Sequence, residues 1–306
     1  MNFRSMNNDT VPMAIFCGLT AALIWGIWPV VSASGINQSL SALDLTALRL
    51  CVGGLVLLPL FWKLHLGFFG RGDLSSIAAI LIVTGAGLPY VLAATFGLEF
   101  APAGHFGVIA PSAQLVGSTL GSWLLLKERL NFSRCLAILV ILFGVVLTGW
   151  EGLQNLGGYT WVGDLLFILA GFLWAIFTLS ARYYSVKTFH AAPLILVWSM
   201  VLFLPIYLVF FESGILEASV SDIVFQGVFQ GILTAVIALI LFTRAISIIG
   251  AGRAAIFPTL VPGIAVLLAI PVLNEYPTTL ELIGVLVVSV GMMLALGLFD
   301  RLFRRC

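Results

Sequence analysis

The sequence predicts an all-α integral membrane protein of ten transmembrane helices, arranged as two inverted five-helix repeats. Three observations carry this. Hydrophobic residues make up 61% of the 306-residue chain and charged residues only 9%, against roughly a quarter charged in ordinary globular chains, so much of the apolar surface has to face lipid. Ten apolar stretches approach the ~20 residues that cross a bilayer: about 13–31, 44–62, 74–96, 103–126, 133–150, 161–181, 191–211, 223–243, 251–272 and 279–299. Finally, one motif occurs twice. Ala103–Leu130 is an apolar run with Pro111 inside it and Lys127-Glu128-Arg129 at its end, and Ala251–Tyr276 repeats it with Pro258 and Glu275. The Pro-to-Glu spacing is seventeen residues in both copies.

The spans are joined by short connections of Gly, Pro, Asn, Asp and Ser. The division is a cytoplasmic N-terminal tail (1–12), a first repeat (13–150), a second repeat (151–299) and a basic cytoplasmic C-terminal tail (300–306). The first span is preceded by Arg4 and followed by Ser32-Ala33-Ser34, which resembles a cleavage site. Its apolar stretch Val11–Val31 exceeds the 7–15-residue core of a signal peptide and has an echo in the second half, so it is read as retained. Alternating segments of about ten residues, the mark of a membrane β-barrel, do not occur.

Basic residues set orientation, because cytoplasmic loops are enriched in Lys and Arg. With the N-terminus inside, the inner side receives thirteen of the fourteen Lys and Arg residues, and Arg49 is the exception. The outer side receives Asp44, Glu99, Glu151, Glu212, Glu217, Asp222, Glu275 and Glu281. Both termini are then cytoplasmic. Further echoes pair Trp25 with Trp174, Thr95 with Thr243, Ala103-Gly104 with Ala251-Gly252 and Gly144 with Gly291, at spacings of 147–149. Five spans per copy is an odd number, so the second copy enters the membrane upside down, as in many secondary transporters.

These features resemble the drug/metabolite transporter superfamily and, within it, the EamA family of bacterial exporters. The residues that carry the resemblance are Trp25 and Trp174, the Ala-Gly…Pro…Glu runs 103–128 and 251–275, and Gly144 and Gly291. It covers essentially the whole chain. It implies a bacterial inner-membrane carrier that exports small metabolites, amino acids or drugs by alternating access, and it leaves the substrate open. Arg49 fits the arginine often seen early in the second span of such proteins.

Candidate site residues follow from depth. Pro111 and Pro258 sit about eight residues into their spans, roughly 12 Å deep, and each frees a carbonyl four residues back; they are expected to be two mirror-related hinges. Trp25 and Trp174 fall near the midplane, where tryptophan is out of its usual interfacial place, and are expected to line a substrate cavity with Tyr90, Gln114 and Phe257. Gln226 and Gln230 share a face of the eighth span, where cavity lining and helix–helix bonding are both open. Arg49, His105 and Glu99 are the possible ionisable contacts, with a structural partner near the outer rim expected for Arg49 and a structural role for His105. No carboxylate falls at mid-span, which points to facilitated diffusion or exchange rather than a proton relay.

Other functions are disfavoured. HExxH and GxSxG are absent and Ser112 has no basic partner at a defined spacing, so no enzyme chemistry is expected. The four cysteines, Cys17, Cys51, Cys135 and Cys306, lack metal-ligand spacing, and neither a metal nor a cofactor is called for. A net charge of +1 gives no footprint for nucleic acid. The expected partners are a small-molecule substrate and the lipid bilayer. An importer or nucleotide-sugar-like exchanger on the same fold remains the alternative.

Overall fold

A computed structural model describes residues 10–66, 75–128, 130–154, 156–186, 188–211 and 214–296. Most of both tails lies outside the described residues, as do Arg71, Arg129 and Lys187. Among the described residues the chain is helical, with no strand. Seven helical stretches are long and apolar enough to cross a membrane: Val11–Gln38, Ala42–Lys63, Ser76–Phe100, Ala103–Leu125, Thr160–Tyr183, His190–Phe210 and Val220–Ile249. Three shorter apolar ones, Phe132–Thr148, Phe257–Leu273 and Thr279–Ala295, occupy the places of the fifth, ninth and tenth expected spans. The 17-residue helices α6 (Phe132–Thr148) and α14 (Thr279–Ala295) are about 26 Å long, a few Å short of a ~30 Å hydrocarbon core. The outer surface is apolar, with Phe210 75%, Phe132 74% and Leu286 68% exposed. A protein in water would not leave such a belt uncovered.

Helix ends follow local chemistry. Helix α1 runs from Thr10 to Gln38, so residues 10–12, expected in the tail, are helical. Helix α2 (Ala42–Lys63) opens with a capping box in which Ser41 and Asp44 satisfy each other's backbone N–H groups. The third expected span breaks at Gly87 into α3 (Ser76–Ala86) and α4 (Leu88–Phe100). There Pro89 follows, and the Leu88 N–H donates to Ser199 Oγ at 3.0 Å. Helix α5 (Ala103–Leu125) continues unbroken through Pro111. A short α7 (Trp150–Gln154) leads to α8 (Thr160–Tyr183) and α9 (Thr188–Phe210). The next stretch contains a π-helical segment, Val228–Ile237, between α10 (Val220–Gly227) and α11 (Ala238–Ile249).

The ninth expected span is not one kinked helix. It is a short helix α12 (Ala251–Ala254), a 3₁₀ turn Phe257–Leu260 and helix α13 (Val261–Leu273). Pro258 sits in the first turn of the 3₁₀ segment, where a missing N–H does little harm. The two motif prolines, expected as mirror-related hinges, thus sit in different local settings. Pro111 lies inside a helix, and Pro258 lies at a break.

The helices pack in a pattern that survives exchange of the two halves. Helix α6 lies on α14, α2 on α9, and α5 on α13. Helix α5 also lies on α8, as α1 lies on α13; α3 and α4 lie on α8, as the π segment and α11 lie on α1. Close approach is set by small residues. A Cβ at Gly144 would come within 2.9 Å of the Gly284 carbonyl oxygen, and one at Gly171 would collide with the Ala110 carbonyl oxygen on α5. Such small-residue seams replace the hydrophobic driving force that lipid cannot supply.

Candidate functional site

A cavity of about 120 Å³ opens between the halves. Trp25 of α1, Arg49 of α2 and Ala86 of α3 line it from one half; Trp174 and Phe177 of α8, Ile195 of α9 and Thr234 of the π segment line it from the other. The repeat-related tryptophans thus border the same space. Tyr90 packs on Trp174 with ring centroids 4.7 Å apart, and Trp25 meets Phe242 edge-on at 5.1 Å. Both tryptophans are half-buried.

One end of this cavity is braced by an amide network. The Arg49 guanidinium lies 5.3 Å from the centre of the Trp28 ring, the indole N–H of Trp28 donates to Gln230 Oε1, and Gln230 Nε2 donates to Ser32 Oγ at 2.8 Å and to Gln226 Oε1 at 3.2 Å. Gln226 Nε2 in turn donates to the Val31 carbonyl oxygen at 2.8 Å. The two glutamines therefore bind the eighth expected span to α1. For Arg49 a structural partner was expected; the structure gives it the Trp28 ring, and among the described residues no carboxylate lies within ion-pair distance of it.

The other site residues lie elsewhere. Phe257 is buried with Cys17, Ala22, Ala245 and Ala254. It is inserted against α1 at Gly18, where any Cβ would overlap its ring, so it does not line the central cavity. Gln114 is half-buried on α5, the helix that packs on α8, and does not line it either. Glu99 Oε1 accepts from the Ala42 N–H at 2.9 Å, stitching α4 to the start of α2.

His105 is fully committed. Its Nδ1 lies 2.8 Å from Asp164 Oδ1 and its Nε2 3.0 Å from Glu281 Oε1, joining α5, α8 and α14. With both carboxylates ionised, both contacts are hydrogen bonds when both ring nitrogens carry protons, which is the imidazolium form. Beside it a second cavity of about 240 Å³ is lined by His105, Thr148, Glu275, Tyr276 and Glu281. It is larger than the central one but lies at helix ends and has few aromatic walls, which makes it the poorer candidate for holding an apolar body.

The two glutamates of the duplicated motif close this description. Glu275 Oε2 accepts from the Ala103 N–H at 3.0 Å, capping α5. Burial pushes its carboxyl above the usual glutamate value, against the backbone N–H groups of Ala103 and Gly104, which pull it down. Glu128 pairs with Arg182 and, at 3.6 Å, with Arg134, and the Arg182 hydrogen bond holds its carboxyl below the usual value.

The EamA-like transporter family matches the chain twice, over residues 12–150 and 161–297. The chain belongs to that family. Each match covers one of the halves whose contacts exchange. Among relatives of this EamA-like transporter, the uncharacterized transporter YoaV of Bacillus subtilis (strain 168) is 24% identical over 92% of this chain and 96% of its own length. The uncharacterized transporter YetK of the same organism is 23% identical over 91% of this chain and 86% of its own length. One crystal structure, described only as that of a protein, is similar with a TM-score of 0.63 and 20% identity, covering 94% of this chain and 98% of that one; this supports the fold.

Reasoning from sequence counted Phe177 among several aromatics that could wall a cavity, but missed Thr234, Ile195 and Ala86 as lining residues. Thr234 carried a usable signal: it is the one polar residue in the run Ile232–Leu241. The others are apolar residues in apolar helices and had none.

Proposed function

We propose that this EamA-like transporter is a secondary transporter of the bacterial inner membrane, exporting small metabolites, amino acids or drugs by alternating access through the central cavity. In this reading ten spans form two inverted repeats with both termini cytoplasmic, and the short α6, α13 and α14 cross by local thinning of the bilayer. The observation that carries it is the shared cavity: Trp25 of one repeat and Trp174 of the other border one space with Arg49. A site at the interface of repeats is where rocking of one half against the other changes access. Pro111 and the break at Pro258 act as unequal hinges. The described carboxylates stay near helix ends, which supports exchange or facilitated diffusion rather than a relay of protons.

The test is transport by purified protein in liposomes. Trp25→Ala and Trp174→Ala are expected to reduce flux per folded molecule by tenfold or more. Normal flux in both variants would remove the cavity from the mechanism.

A further inference from the structure

Arg49 and Thr234 stand out once the central cavity is treated as a binding site. Arg49 is only 8% exposed, and its guanidinium carbon lies over the Trp28 ring, 5.3 Å from its centre. A cation–π contact satisfies the face of a guanidinium but leaves its edge, with five N–H donors in a fork, in search of an acceptor. Thr234 is 3% exposed, lines the same cavity, and its Oγ1 has no hydrogen-bond partner among the described residues. Buried polar atoms are normally paired, so an orphan hydroxyl lining the same cavity as a cation that has no carboxylate partner among the described residues marks two vacant contacts. Among the described residues the remaining lining is aromatic and aliphatic, with no Asp, Glu, Lys or His.

We propose that the transported substrate carries a single carboxylate, held by the Arg49 guanidinium and the Thr234 hydroxyl, with an apolar or aromatic body between Trp25 and Trp174. The proposal rests on the transport reading above and narrows it to one substrate class. One positive charge suits a monoanion. A zwitterion would bring an ammonium group to a wall without a counter-charge, and a free amine would face Arg49 directly. The volume, about 120 Å³, is small beside ligand pockets of roughly 300–1,000 Å³, which favours small acids over nucleotide-sized cargo. Arginine rather than lysine at this place suits bidentate capture of a planar carboxylate.

Three probes with one phenethyl body separate the cases: 3-phenylpropanoate, phenylalanine and phenethylamine. Binding is read as ligand-induced stabilisation of the purified full-length protein, and transport as exchange of labelled probe in liposomes. The expected result is that 3-phenylpropanoate binds about thirtyfold or more tighter than phenethylamine, as for a desolvated charge pair. Arg49→Gln removes that preference, Arg49→Lys keeps part of it, and Thr234→Val weakens the acid by about tenfold, the scale of a hydrogen bond to a charged group. Arg49→Gln is compared at equal folded fraction, and Arg49→Lys guards against loss through misfolding. Equal or better binding of the amine or of phenylalanine overturns the proposal, as does a preference that survives Arg49→Gln, or no binding by any probe. Saturable flux of the amine that is lost in Trp25→Ala and Trp174→Ala sinks the anion assignment while the cavity stands. Acid flux untouched by both tryptophan variants sinks the cavity itself.

Discussion

The turn at Glu128 and the turn at Glu275 share a backbone and differ in nearly everything attached to it. In each, the residue before the glutamate adopts a left-handed conformation, Lys127 at φ 54° and Asn274 at φ 55°. The glutamate N–H then reaches back six residues, from Glu128 to the Ser122 carbonyl oxygen and from Glu275 to the Ala269 carbonyl oxygen. This is the Schellman way of ending a helix. The following helices begin alike, with Asn131 capping α6 and Thr278 capping α14, again 147 residues apart. Around this common frame, Glu128 meets Arg134 and Arg182, whereas the position matching Arg134 holds Glu281, which bonds His105. Backbone geometry is thus duplicated while the charges are free to diverge. The proposed orientation accounts for the divergence, since basic residues stay on the cytoplasmic side.

The sharpest way to break this comparison is at His105. His105→Ala leaves the Asp164 and Glu281 carboxylates facing each other without a cation, and loss of one partner from a buried ionic cluster costs about 3–5 kcal/mol. A large fall in the thermal midpoint of the detergent-solubilised protein is expected; an unchanged midpoint would show that the cluster is solvated and mechanically idle. Glu275→Ala comes next, with a loss of about 1–2 kcal/mol, because the Ala103 N–H at the start of α5 loses its cap. Glu128→Ala should cost no more than about 1 kcal/mol, since its arginine partners are largely exposed and such pairs are screened. If Glu128→Ala proves the costlier of the two glutamate changes, the contrast between a capping turn and a surface ion pair is wrong.

Acidity gives a smaller effect but one of opposite sign at the two turns. The Glu128 carboxyl is held below its ordinary 4.5, so its contribution is present above that value and is lost as pH falls through the lowered one. The Glu275 carboxyl is raised above 4.5, so its contribution is complete below 4.5 and is lost as pH rises through the raised value. In unfolding scans, Glu128→Gln should therefore flatten the acid limb below about pH 4.5, and Glu275→Gln the limb above it. Both substitutions flattening the same limb would overturn the assignment.

The two motif prolines offer a final contrast. Pro258→Ala, at an existing break, is expected to alter side-specific cysteine labelling less than Pro111→Ala, which repairs a defect inside a continuous helix. Equal changes would mean that both act as simple packing kinks.

Much of this was legible in the chain. Spacing between Trp25 and Trp174 pointed to one shared space, and the doubled Pro…Glu run pointed to two matching turns, because both are properties of sequence register. Three features were hidden for physical reasons. The His105 clamp joins residues 59 and 176 positions apart, and no local pattern encodes such a meeting. The break around Pro258 depends on Phe257 entering α1 at Gly18, a tertiary contact. The π segment lies in a mostly apolar run broken by Gln230 and Thr234, where hydrophobic periodicity cannot tell five-residue from four-residue hydrogen bonding.

That π segment has a geometric consequence for the cavity. Each residue of an α-helix turns the chain by about 100° and advances it 1.5 Å; a π stretch holds extra residue in the same length. Gln226, anchored to α1, lies before its start; Gln230, also anchored to α1, and Thr234 lie inside it. Removing one residue's worth of slack beyond Gln230 would leave the anchored amides in place while swinging Thr234 and all of α11 around the axis. The hydrogen-bond register of ten residues therefore sets which side chain this stretch turns toward the cavity.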